Sequence, residues 1–209
     1  MAYFPMFIEI EKKHCLIVGG GNVALRKVRV LLEFGADVTV VAPQILPAIE
    51  QISSQNLHLK KRAFEETDLN GCTLVVAATD DAFKNHAVAK LAKERNIPVN
   101  AVDQQEDCSF LFPSYHKEKN VVGAFSSSGN SPVITQYLKG IIQEVLDEDL
   151  GEINEYMGSI RPLVKQALKT EALRKQVYQK VLKKLLTEKV HTLSDDELQE
   201  IIRQVNSRG

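Results

Sequence analysis

"LIVGGGNVALRK", Leu16 to Lys27, carries an apolar run into three consecutive glycines and then into an amphipathic, basic segment. Only a backbone that must turn tightly at the end of a strand and enter a helix at once needs that order. Within it Gly19, Gly21 and Ala24 form G-x-G-x-x-A. The first glycine permits the tight turn, the second lets the backbone approach a ligand closely, and the small third residue lets the helix pack on the sheet. The helix N-terminus adds unpaired N–H groups and a partial positive charge, which together hold phosphates. The stretch therefore reads as a dinucleotide cradle. The motif alone is weak; a strand before it, a helix after it and an alternating αβ context give it weight.

That context is present on both sides. "FIEI" and "CLIVGG" read as short strands around the polar turn "EKKH". A helix is predicted from Val23 to Phe34, with Gly35 at its C-terminal cap. "DVTVVAP" is a β-branched run stopped by Pro43, "PAIEQISS" a short helix and "LHLKKRA" a polar strand near an edge. "CTLVVAATDD" has the continuous apolar character of a strand covered on both faces. A helix from Asp81 to Arg95 is expected to turn Ala82, His86, Val88, Ala89 and Leu91 inward, and "PVNAV" is the next strand. Strand and helix alternate through Val102, which predicts an α/β fold with a doubly wound parallel sheet. Beyond it, "SFLFPS" and "VVGAFSSSG" read as strands flanking the turn "YHKEKN". Ser131 and Pro132 open a helix to about Leu146, and everything after Gly151 reads as helical, broken at Arg161-Pro162 and reopened by the capping box at Ser194 and Glu197.

Ligands of such a sheet lie beyond the carboxyl ends of its strands, so the loops there supply the candidate site. An acidic residue at the end of the second strand would hold the ribose hydroxyls. This chain has "VVAPQ" instead, with Asp37 at the strand's other end, so the ribose falls to backbone groups around Ala42, Pro43 and Gln44 or to another loop. The spacing alone does not separate NAD from NADP. In "ATDD", Thr79 and Asp80 are candidate cofactor contacts, with capping of the next helix as the plainer role of Asp80 or Asp81. In "VNAVDQQED", Asn100 and Asp103 flank a strand end on the same rim. A carboxylate there can serve as a general base; the plainer role, solvating a loop, suits Glu106 and Asp107 better.

Composition sets the outer limits. A formal net charge of -1 over 209 residues gives no case for a general nucleic-acid binder. The first residues lack a basic leader with a long apolar core, and no apolar run is long enough to span a bilayer. Cys15, Cys72 and Cys108 are odd in number and far apart, which fits a reducing compartment and a cytoplasmic location. Cys15 and Cys72 open apolar runs and read as core. His14 and His116 are expected in turns, His58 in a strand, His86 in a helix and His191 in the helical region, with no metal-ligand spacing among them.

"CLIVGGGNVALRK", "VTVVAP", "VVAATDD", "VNAVD", "SFLFPS" and "SSSGNSP" follow one another in the order found in a known family. The chain resembles precorrin-2 dehydrogenases of the siroheme-synthase N-terminal type, through about Leu146 by motif and to the end by length and character. The resemblance implies a homodimer whose Rossmann-type NAD-binding domain spans 1–113, followed by a small dimerisation segment at 114–146 and an all-helical C-terminal domain at 147–209. It implies oxidation of precorrin-2 to sirohydrochlorin with NAD, on the way to siroheme or cobalamin. It matches Asp103 to the aspartate of catalysis and metal insertion, Asn22, Val23, Pro43 and Gln44 to cofactor-binding positions, and Ser127 to a serine of the substrate pocket. Where the family often has two glycines, this chain has Ser128 before Gly129. The methyltransferase domain fused to some members lies outside these residues, so a separate uroporphyrinogen methyltransferase and a separate chelatase are the expected partners. Lys117, Lys119 and Lys139 are candidate contributors to holding a substrate with eight carboxylates, with solvation of the surface as the plainer role of each.

Four rivals follow from the same residues, one of them a chelatase that uses the fold only as a scaffold and needs no NAD for its first step. A bifunctional enzyme would also insert Fe(II) or Co(II), with Asp103 taking the pyrrole protons. A non-catalytic NAD-sensing dimer would keep the glycine turn and need no base. A DNA-binding helical appendage is disfavoured by the acidic residues interspersed among the C-terminal lysines.

Overall fold

A computed structural model describes residues 3–207, which divide into two compact units between Phe112 and Pro113. The first is a five-stranded sheet in the order β3-β2-β1-β4-β5. Its strands are β1 (His14–Val18), β2 (Asp37–Val41), β3 (Leu57–Lys60), β4 (Leu74–Ala77) and β5 (Val99–Ala101), and every pairing is parallel. Helices α1 (Asn22–Glu33), α2 (Pro47–Glu50) and α3 (Ala82–Glu94) connect them. The predicted doubly wound α/β sheet is therefore present. Its chain direction across the sheet reverses between β1 and β4, which is where this architecture opens a crevice.

Parallel strands covered on both faces need continuous apolar runs, and β1 and β4 supply them: Cys15, Leu16, Ile17, Val75, Val76 and Ala77 are fully buried. Alternate residues feed two cores. Cys15, Ile17, Val38, Val40 and Val76 pack under Ala24, Val28 and Leu31 of α1. Leu16, Val75, Ala77 and Val99 pack under Val88, Ala89 and Ala92 of α3. At the edge β3 is held by Asp68, which is buried and takes a bidentate pair of 2.7 Å bonds from Arg62 and one of 2.9 Å from Lys60. Those cations, Arg62 foremost, hold its carboxyl well below the usual range.

Four expectations are corrected. "FIEI" forms no strand; β1 is already flanked by β2 and β4, and Phe4, Met6 and Phe7 stay exposed. "SFLFPS" alternates as a strand does, because Phe110 and Phe112 reach one core and Leu111 the other, but Ser109 to Pro113 carry no ladder. The strand lies one step later, in β6 (Ser114–Glu118), paired antiparallel with β7 (Val121–Phe125) across Lys119-Asn120, so His116 is in a strand and so is His14, the first residue of β1. In α3, Ala82 and His86 face solvent, while Asn85 and Ala92 take the inward places.

The second unit contains β6, β7 and five helices: α4 (Pro132–Val145), α5 (Glu148–Ser159), α6 (Arg161–Ala167), α7 (Glu171–Glu188) and α8 (Asp195–Asn206). Ile153, Val164, Leu168, Val177, Val181, Leu185, Leu198, Ile202 and Val205 form a core of their own. Ser194 and Glu197 make the expected capping box of α8. Helix α4 is different: none of its residues is buried, and Val133, Ile134, Tyr137 and Val145 are exposed. No described helix is long and apolar enough to cross a membrane.

Candidate functional site

The ladder register brings the candidate loops to one rim. Val18 pairs with Val41 on one side and Ala77 on the other, and Ala77 pairs with Ala101. The residues just beyond, Gly19, Ala42, Ala78 and Val102, therefore leave the sheet together, and Val102 N–H donates to Ala77 O at 2.9 Å.

Each glycine of the turn meets a different limit. Gly19 has φ +125°, and a Cβ there would stand 2.2 Å from Ala78 O. Gly20, an unconstrained position in the sequence motif, is equally restricted: its Cβ would stand 2.1 Å from Gln44 O, and its own carbonyl accepts from Leu46 N–H at 2.9 Å. Gly21 is the opposite, with nothing within 4 Å of an added Cβ. It is the N-cap of α1, with extended backbone, no side-chain cap and no acidic residue in the first turn. Ala24 is fully buried against the sheet. The chain thus closes the space around Gly19 and Gly20 and leaves it open in front of Gly21, where the helix offers its first N–H groups. This chemistry fits a pyrophosphate: donors without acidic neighbours, reached over a residue with no side chain. Asn22 is exposed and Val23 half-buried in that first turn, and Pro43 and Gln44 are exposed beyond β2.

The β4 loop is built as a cap. Asp81 accepts from Phe83 N–H and Lys84 N–H at 3.0 and 3.2 Å, and these bonds, that from Lys84 foremost, hold its carboxyl below the usual range. Thr79 is engaged by Asn85, which accepts from its N–H at 3.0 Å and from its hydroxyl at 2.7 Å, and donates to its carbonyl at 3.1 Å. Asp80 stays exposed. Of the two aspartates, Asp81 is the cap and Asp80 the one turned to solvent. Asn85, buried on α3, carried no sequence signal beyond its position in a helix.

Asp103 sits at φ +60° in the turn that leaves β5, where Gln104 N–H returns to Ala101 O at 3.3 Å. That left-handed conformation is uncommon outside glycine, asparagine and aspartate. Asp103 is exposed, and its carboxylate has no hydrogen-bond or ion-pair partner among the described residues. Beside it the Gln104 side-chain oxygen is buried without a donor, an acceptor of the kind a ligand N–H satisfies. Asn100 is buried and donates to Phe110 O at 3.1 Å and Cys108 Sγ at 3.4 Å, so its amide nitrogen pins the chain after β5. Asp107 is no loop-solvating residue: it is buried and bonded to His86 Nδ1 at 2.8 Å. Lys27, one and a half turns along α1, lies 3.6 Å above the Phe112 ring, and burial pushes its ammonium pKa down to about 8.

Ser127 belongs to the second unit. Its Oγ accepts from Ser131 N–H at 3.0 Å, closing the loop that opens α4. Ser128 takes φ +55° and Gly129 φ +86°, so the serine adopts the conformation for which a glycine would be the easier residue. Lys119 is bound to Glu152 and Glu155 at 3.4 and 3.1 Å, and the Lys139 ammonium lies 5.8 Å from the Tyr115 ring centre.

Residues 6–114 match the family model described as "Putative NAD(P)-binding". Among curated proteins the chain is 35% identical to a siroheme synthase of Methylobacillus flagellatus over 208 residues, which is 99% of this chain and 44% of that protein. It is 39% identical to siroheme synthase 1 of Serratia proteamaculans over 86% of this chain and 38% of that protein. The chain thus spans less than half the length of these relatives. Among solved structures, that of SirC, precorrin-2 dehydrogenase, superposes with a TM-score of 0.75 at 23% identity, covering 98% of this chain and 100% of that one.

Proposed function

The chain belongs to the NAD(P)-binding family matched over residues 6–114, and on that premise we propose that it oxidises precorrin-2 to sirohydrochlorin with NAD. The observation that carries this reading is Asp103, an unpaired carboxylate in a left-handed turn on the rim that also holds the glycine cradle. Bound NAD would supply the hydride acceptor. The chain's residues do the rest. The N–H groups at the start of α1, at Asn22, Val23 and Ala24, hold the pyrophosphate across Gly21. Backbone at Pro43 and Gln44 carries the ribose, and Thr79 and Asp80 line the neighbouring loop. Asp103 takes the proton that leaves the substrate with the hydride. NAD over NADP is supported by the cations at the end of β3 and just after it: Lys60 and Arg62 are engaged by the buried Asp68 and Lys61 pairs with Glu50, so none of them stands unpartnered for a 2′-phosphate.

The active form is a homodimer joined through the segment 114–146. Helix α4 supports this, since a fourteen-residue helix with no buried residue is a surface built to be covered. Sedimentation should give the mass of two chains, and replacing both Ile134 and Tyr137 with Glu should give one.

The test of function is anaerobic: precorrin-2 made enzymatically, NAD, this protein, and NADH and sirohydrochlorin followed together. Equal yields of both are expected. NAD binding without NADH formation would overturn the reading in favour of a sensing module. Fe(II) or Co(II) added to the product, against a protein-free control, reads the chelatase.

A further inference from the structure

Asp103 takes a left-handed conformation, and the turn that carries it is fixed from both sides. On one side the turn is fixed by β5, which is laddered to β4. On the other side residues 104–107 are fastened to α3 at three places. Gln104 Nε2 donates to Ala82 O at 3.1 Å, and Lys93 Nζ donates to Glu106 O at 3.1 Å. The third is the carboxylate of Asp107, with its two oxygens 3.0 and 2.8 Å from His86 Nδ1 and Lys93 Nζ 4.0 Å away.

The third fastening differs in kind. A buried carboxylate is costly unless a donor meets it, and Asp107 is 6% exposed. His86 supplies that donor from a helix face that is otherwise in solvent, with 61% of its side chain exposed. It contributes little to packing, so its reason for being there is the bond it makes. From that bond to Asp103 is four residues of tight chain, through Asp107 N–H to Gln104 O at 3.1 Å and Gln104 N–H to Ala101 O at 3.3 Å.

We propose that His86 and Asp107 are a positioning pair that holds the Asp103 turn in its working geometry. The inference rests on the reading of Asp103 as the proton acceptor. His86 touches neither substrate nor cofactor in this scheme; it acts through the loop.

The test is a double-mutant cycle on the full chain, read by steady-state kinetics and by NAD titration. His86→Ala should lower kcat by about tenfold, as a displaced catalytic group does, and leave NAD affinity unchanged. His86→Gln, which keeps a donor for Asp107, should recover most of that loss. In the Asp103→Asn background His86→Ala should cost nothing further, because the group it positions is gone. Wild-type kcat in His86→Ala, or an equal loss in both backgrounds, would overturn the positioning role. If Asp103→Asn itself turns over normally, the assignment of Asp103 falls first and the pair falls with it; if only His86→Ala is silent, Asp103 stands and the pair alone is withdrawn.

Discussion

Asp103→Asn is expected to lower kcat by about 100- to 10,000-fold, the range contributed by a positioned general base, while NAD still binds. Asparagine is the informative replacement because of the backbone. At φ +60° an alanine costs about 1 kcal/mol in the turn itself, so a loss of activity in Asp103→Ala mixes a moved loop with a missing base. Asparagine tolerates the left-handed region as aspartate does, has the same shape, and lacks only the charge and the proton-accepting oxygen. The side chain has no partner among the described residues, so its amide leaves no broken ion pair behind and folding stability should not change. Anaerobic turnover of precorrin-2, measured beside a fluorescence titration of NAD, separates the two roles. Retention of more than half the wild-type rate would remove Asp103 from the chemistry.

How far the sequence reaches is visible in this same turn. The glycine motif, the alternation of strand and helix and the stops at Pro43 and Gly35 are local signals, and they yield the parallel sheet and its rim. The position of Asp103 at a strand end is legible for the same reason. Its left-handed φ is not, nor is the fastening beneath it, because His86 and Asp107 are 21 residues apart and only the crossing of α3 over the end of β5 joins them. Periodicity places His86 inward and its loop position places Asp107 in solvent; the structure exposes the first, buries the second and bonds them to each other. Gly20 teaches a related lesson. It looks like a free position of the motif, yet the β2–α2 loop passes so close that no side chain fits. "SFLFPS" misled in another way: alternation reports which faces are buried, and a segment wrapping an edge alternates without pairing.

Gly21→Asp should separate folding from cofactor binding by moving them in opposite directions. The residue is the N-cap of α1, at φ -90° and ψ -167°, which is the extended geometry an N-cap takes. Aspartate is among the best residues there, since its carboxylate accepts from the first-turn N–H groups and meets the positive end of the helix. An added Cβ touches nothing within 4 Å, so no packing opposes the gain, and the N-terminal unit should become more stable by about 0.5–1 kcal/mol. The same carboxylate occupies the donors that the pyrophosphate needs and repels its charge, so NAD affinity should fall by about 100-fold or more, close to 3 kcal/mol. Gly19→Ala is the contrast. Its Cβ would stand 2.2 Å from Ala78 O at a φ of +125°, so it should lose both stability and binding, by about 3 kcal/mol of folding free energy for a strained and overpacked position. Thermal melting and NAD titration on the two variants read both quantities. If Gly21→Asp binds NAD as the parent does, the open space at the start of α1 is not where the pyrophosphate lies, since no charge placed on those amides can be neutral toward an anion that uses them.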